Sequence, residues 1–138
     1  MFKKIFFICC VIVLLSACPA YHPLYPLSII NHSDEDIFWL SMSARDGEWY
    51  EIISIDSYMG GQYDKHVILR ESSSRDDLTD GIKTTLNLYG WIKYTLFNYD
   101  SIKTVPWQRI CEERIILKEV RFDSWEDFER CNFEITYP

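Results

Sequence analysis

Glycine and proline are scarce, with five of each in 138 residues. That excludes collagen-like repeats and Pro/Gly-rich low-complexity chains. There is no run of Lys or Arg, and acidic residues outnumber basic ones 21 to 14. An acidic chain repels phosphate backbones, so no nucleic-acid partner is expected. The same charge opposes electrostatic docking on anionic lipid. No apolar run reaches the roughly 20 residues that a membrane-spanning helix needs. The three histidines, His22, His32 and His66, never stand at metal-ligand spacing, and His-Glu-x-x-His is absent. No metal and no cofactor is expected.

Aromatic residues are abundant instead, with 8 Phe, 9 Tyr and 5 Trp. Apolar residues make up 48% and charged residues 25%, an ordinary globular balance able to build a core.

The start of the chain carries the strongest signal. Met1-Phe2-Lys3-Lys4 is a short positive segment, and Ile5 to Leu15 follow as eleven apolar residues. Such a run has the length of a signal-peptide core. Leu15-Ser16-Ala17-Cys18 comes next. These four residues resemble the bacterial lipobox at every position. The resemblance implies that residues 1–17 are removed, that Cys18 carries a diacylglyceryl thioether, and that its new amine takes a further acyl chain. Several chains give a stable anchor where one gives a marginal one. The implied partner is therefore the membrane, through lipid on Cys18. Without Lys3 and Lys4, 12 basic residues face 21 acidic ones, a net charge of −9.

Residues 18–26 hold Pro19, Pro23 and Pro26 and read as an extended tether. Eight residues at about 3.1 Å each lift a domain roughly 25 Å from the anchor. Residue 19 is Pro rather than the Asp associated with inner-membrane retention in enteric bacteria. No acidic cluster directly follows Cys18. The expected address is the outer membrane, facing the periplasm first and the cell surface second.

Residues 27–138 read as a single β-rich α+β domain, a sandwich-like arrangement of antiparallel sheets with two short helices near the C-terminus. Leu27 to Asn31, Ile37 to Met42 and Trp49 to Ile55 are expected strands forming a meander. Asn31 to Asp36 is a turn by composition. Tyr58 to Lys65, with Gly60-Gly61, reads as a loop, and Ser72 to Asp80 as an exposed turn. Val67 to Leu69 is a short strand. Ile92 to Tyr99 reads as a central strand, with Leu86 to Tyr89 as another.

The last third is more legible. Thr104 to Glu113 reads as a helix that tolerates Pro106 only in its first turn, with Trp107 and Ile110 on the inner face. Arg114 to Phe122 is a strand. Ser124 starts a helix, with Asp127 completing a capping box, and Asp123 with Glu126 offers an equal frame. Trp125, Phe128 and Cys131 share one face. Phe133 to Tyr137 alternates as a last strand. Trp107-x-x-Ile110, Ile116-Leu117-Lys118, Ser124-Trp125-Glu126-Asp127-Phe128 and Asn132-Phe133-x-Ile135-Thr136-Tyr137-Pro138 together resemble the ending of a family of small lipoproteins from Bacteroides-type bacteria. Asn31-x-Ser33-x-x-x-Ile37 is similar too. The resemblance covers about half of the mature chain. No activity attaches to the family, so it implies a fold and no catalytic residue.

Chemistry is thin. Asp34-Glu35-Asp36 lacks the alternation and central Gly of an EF-hand loop. Ser72 to Ser74 have no nucleophile elbow around them, and Gly60-Gly61 is no phosphate loop. Glu112, Glu113, Glu126, Asp127 and Glu129 offer carboxylates, but on heavily charged helices. Among Trp39, Trp49, Tyr50, Tyr58, Tyr63, Trp91 and Tyr94, core positions should dominate. Tyr58 and Tyr63 flank Gly60-Gly61 and are the candidate ligand contacts. Cys111 and Cys131 are the candidate disulfide. Two functions follow: a non-enzymatic binding or accessory component of the envelope, with a protein or glycan partner, or a small hydrolase acting on glycan or peptidoglycan.

Overall fold

The computed structural model describes residues 27–76 and 79–138. The leader, Cys18 and the tether lie outside the described residues. Among the described residues seven strands form two sheets. Strands β1 (Leu27–Asn31), β4 (Ser72–Asp76) and β7 (Glu134–Tyr137) make the smaller sheet, in the order β4-β1-β7. Strands β2 (Ile37–Ser43), β3 (Val67–Ile68), β5 (Ile92–Asn98) and β6 (Lys118–Phe122) make the larger one, in the order β3-β2-β5-β6. All pairings are antiparallel except β1 with β7.

The described residues also form five α-helices: α1 (Ile55–Met59), α2 (Thr79–Tyr89), α3 (Tyr99–Thr104), α4 (Trp107–Glu113) and α5 (Trp125–Arg130). Short 3₁₀ turns occupy Trp49–Glu51 and Tyr63–His66. The two C-terminal helices form, although Thr104 ends α3 and Pro106 is the N-cap of α4 rather than part of its first turn, and three more helices precede them.

The central strands β2 and β5 of the larger sheet are buried on both faces; β2 is a largely apolar run, and β5 buries Lys93 and Thr95 among its apolar residues. One face, with Ile37, Trp39, Ile92, Tyr94 and Leu96, packs against Leu27, Ile29 and Ile135 of the smaller sheet. Helices α2 and α5 close that space through Ile82, Leu86 and Phe128. The other face presents Phe38, Leu40, Met42 and Phe97 to a helical layer holding Trp49, Ile55, Met59 and Ile110. The molecule is thus three layers deep: sheet, sheet, helices.

Five segments depart from the sequence reading. Trp49 to Ile55 is a 3₁₀ turn, a non-helical link at residues 52–54 with extended ends, and the first residue of α1, so no meander forms. Ile55 and Met59 are buried one turn apart in α1, Trp49 is buried from the 3₁₀ turn, and Ile53, in the link between them, is left outside. Ser54 caps α1, accepting from Ser57 N, and Gly60 ends it in the left-handed region at φ 55°. The expected loop from Tyr58 to Lys65 is therefore the end of α1, a glycine stop and a 3₁₀ turn. Leu86 to Tyr89 belongs to α2, where Ile82 and Leu86 face inward one turn apart.

Ser72–Asp76 is a strand, pairing in register from Leu27↔Asp76 to Asn31↔Ser72. It is an edge strand, and backbone pairing on an edge asks little of its side chains. The expected start of β6 at Arg114 moves to Lys118, because Arg114, at φ 51°, caps α4. At the C-terminus the Ser124–Asp127 capping box forms as expected.

Candidate functional site

The helical layer carries the surface of interest. Asp46 accepts from Ser43 N and Oγ at 3.1 and 2.6 Å, which turns the chain after β2. Gly47, at φ 83°, lets it continue; a Cβ there would sit 2.7 Å from Glu51 Oε2. Glu51 reaches back to Glu48 N at 3.2 Å and fixes the 3₁₀ turn. Trp49 then fills the core between Phe97 and Trp107, edge-on at 5.2 and 6.0 Å. From the other side, Trp107 Nε1 donates to the Ile52 carbonyl at 2.7 Å. With Trp49, Ile52 and Ile55 turned inward, Ile53 points out.

Ile53 is 97% exposed, and Tyr50 and Tyr58 stand near it at 36% and 42%. Three clefts meet at Ile53. The largest, about 760 Å³, runs past Asp56, Tyr63, Asp64, Tyr99, Lys103 and Trp107. A second, about 460 Å³, is bordered by Asp46, Glu51 and Tyr58. A third, about 390 Å³, lies between Tyr50, Trp107, Cys111 and Glu112. The first has the size of an ordinary small-ligand site.

Tyr58 and Tyr63, the sequence candidates, thus line different clefts on either side of one ridge. The Tyr63 hydroxyl donates to Asp56 Oδ1 and its ring packs on Phe38 at 5.8 Å. Burial first, and the Asp56 hydrogen bond second, push its phenol well above the ordinary value. Burial and the Asp46 carboxylate raise that of Tyr58. Both are neutral hydroxyls at physiological pH. Of the other aromatics considered, Trp39, Trp49 and Tyr94 are core, Tyr63 and Trp91 are half-buried, and Tyr50 is exposed.

The remaining candidates do not converge. Cys111 and Cys131 are both free thiols; Cys111 packs on the helical side of the larger sheet and Cys131 between the sheets. Burial first, and Glu112 second, push the Cys111 thiol up, away from the reactive thiolate. Glu113 pairs with Arg109 and Asp127 with Arg130, on helices that pack on opposite faces of the larger sheet. Glu48 and Glu119 share Lys93 Nζ at 2.6 and 3.4 Å, and Glu119 also accepts from Trp49 Nε1. His32 is exposed, while the His66 ring packs at a tilt against Trp39, 4.4 Å between centroids. Among the described residues no group of three His, Cys, Asp or Glu is placed to hold a metal. None of their helices is long and apolar enough to cross a membrane.

Compared with protein-family models, curated proteins and solved structures, the chain matches none. The function must therefore be argued from the surface itself.

Sequence reasoning missed Ile53 and Tyr99. The adjacent pair Ile52-Ile53 was the available signal: where the chain is extended, neighbouring side chains point to opposite sides, so one of the two must face out.

Proposed function

We propose that this chain is a bacterial outer-membrane lipoprotein, held by lipid on Cys18, that works by binding rather than by catalysis. The charged start, the apolar run and Leu15-Ser16-Ala17-Cys18 support the anchor, and the resemblance of the C-terminal third to Bacteroides-type lipoproteins agrees with it. The observation that carries the binding reading is Ile53. A large apolar side chain left 97% exposed contributes nothing to folding. Covered by a partner, it returns about 1.5–3 kcal/mol. Tyr50 and Tyr58 beside it are the amphipathic type that interfaces favour.

The second reading, a small hydrolase acting on glycan or peptidoglycan, rests on Asp56 and Asp64, which line one groove. A glycosidase needs one of its two carboxyls to donate a proton. Asp56 instead accepts the Tyr63 hydroxyl. Soluble fragments released from purified sacculi by the wild type, and not by Asp64→Asn, would favour this reading.

The test of the first is twofold. Cys18→Ser should move the protein from the membrane to the soluble periplasmic fraction. Ile53→Asp should stay folded and membrane-bound, yet lose whatever co-purifies with the wild type from detergent-solubilised envelope. Unchanged fractionation would overturn the anchor, and unchanged co-purification would overturn the surface.

A further inference from the structure

We infer that the surface around Ile53 docks a basic segment of a partner protein, with Lys and Arg side chains surrounding an apolar seat for Ile53. This rests on the binding reading and names the partner's chemistry. Five carboxylates line the three clefts that meet at Ile53: Asp46, Glu51, Asp56, Asp64 and Glu112. No ion pair among the described residues includes any of them. Four have local bonds to uncharged donors: Asp46 to Ser43, Glu51 to Glu48 N, Asp56 to Tyr63 and Glu112 to Gln108. The ammonium that lines the groove, Lys103, already sits 2.7 Å from Asp100. At the margin the Arg114 guanidinium lies over the Tyr50 ring at 4.5 Å. Five carboxylates outside any ion pair among the described residues therefore flank an apolar projection, with the Arg114 guanidinium at its margin.

The two features divide the work of association. Rim charges steer encounter and select the partner's sign, while the apolar centre, once desolvated, supplies most of the affinity. The sign rules on the alternatives. A second copy docking through the same patch would bring acidic rims together. Anionic lipid and nucleic acid meet the same repulsion. A neutral glycan would leave the carboxylates uncompensated.

Placement agrees. The tether joins β1 in the smaller sheet, and this surface lies on the helical layer, with the larger sheet between them. The acidic ridge is presented on the layer farthest from the anchored strand.

The test replaces Ile53 with a photo-crosslinking residue in the full lipidated chain in cells. The same residue at Leu88, 67% exposed on α2, is the control. The expected result is a protein adduct specific to position 53, whose crosslinked peptide, sequenced by mass spectrometry, carries net positive charge. Asp64→Lys with Glu112→Lys, both on exposed positions, should cut adduct yield about tenfold. An adduct to a neutral or acidic peptide, to glycan, to lipid or to a second copy would overturn the inference and leave the binding reading standing. So would an undiminished yield in the double variant. No adduct at position 53 above the Leu88 control would overturn both.

Discussion

Trp107 Nε1 donates to the Ile52 carbonyl at 2.7 Å, joining residues 55 positions apart. With the Arg114 guanidinium over the Tyr50 ring, that bond adds a polar tie to the core packing that holds the 3₁₀ turn against α4. Trp107→Phe keeps a ring beside Trp49 and Phe97 but removes the donor. The half-buried carbonyl then loses its partner, a cost of about 1–2 kcal/mol. Hydrogen exchange should report it locally, with faster exchange over Trp49–Met59 and unchanged protection in β5. Uniform loosening of both would show that Trp107 matters only through packing.

The same ridge shows what was legible in the sequence and what was not. Ile92–Asn98 was readable because aromatic, β-branched and apolar residues crowd a strand buried on both faces. Helix α5 was readable because Ser124 and Asp127 form a local capping box. Trp49 to Ile55 was misread because Trp, Tyr and Ile favour strands, while the period that decides the matter depends on which face the larger sheet covers. Ser72–Asp76 was invisible for the opposite reason: its place is set by the backbone of β1 and not by its own side chains. The site inherited these errors. Gly60-Gly61 pointed to Tyr58 and Tyr63, but reading a strand at Ile53 hid the residue at the hub.

Asn31 explains the Asn31-x-Ser33 pattern physically. Fully buried, it donates to the carbonyls of Glu35 and Leu69 at 2.7 and 3.2 Å and accepts from Ser33 N and Oγ at 3.0 and 2.6 Å. It thereby ties the end of β1 to the turn before β2 and to the end of β3. Asn31→Leu fits the volume but leaves several buried groups without partners. A loss of about 2–4 kcal/mol is expected in urea unfolding. Asn31→Asp should cost more, because acceptors would face carbonyls. A loss below about 1 kcal/mol for either would show that water replaces the network.

Asp127 should make stability depend on acid pH. Its Oδ2 accepts from Asp123 N and Ser124 N, both at 2.9 Å, and Arg130 lies 2.5 Å from Oδ1. The Asp123 N–H first, then Ser124 and Arg130, hold its carboxyl below the usual range. The unfolded chain therefore takes up a proton before the folded one does. This contribution is complete above the unfolded value, about 4, and is lost as pH falls through the folded one. Between pH 6 and pH 2.5 the urea midpoint should fall further in the wild type than in Asp127→Asn. Parallel falls would assign the acid sensitivity to other carboxylates.

The C-terminal strand should be indispensable although it lies at an edge. Ile135 is buried between the sheets, and Phe133 and Tyr137 pack against the same cluster. The chain is also tied there through its backbone. Ser28 N donates to Phe133 O at 2.8 Å, His32 N to Tyr137 O at 2.6 Å, and Lys118 Nζ to Thr136 O at 2.6 Å. Removing Phe133 to Pro138 leaves β1 paired with β4 alone, and a two-stranded ribbon is marginal in water. Ile135 by itself accounts for about 1.5–3 kcal/mol, against a typical total of roughly 5–15 kcal/mol. The two partly covered rings and the lost pairing add to that. Truncation after Asn132 should therefore abolish cooperative unfolding, while deletion of Ala20 to Tyr25, which lies before β1, should leave the melting temperature unchanged. Ile135→Ala, expected to cost about 2–5 kcal/mol, separates the side chain from the strand. If the truncated chain melts cooperatively near the wild-type temperature, the smaller sheet is held by β1 and β4 without β7, and the inter-sheet core does not depend on the chain end.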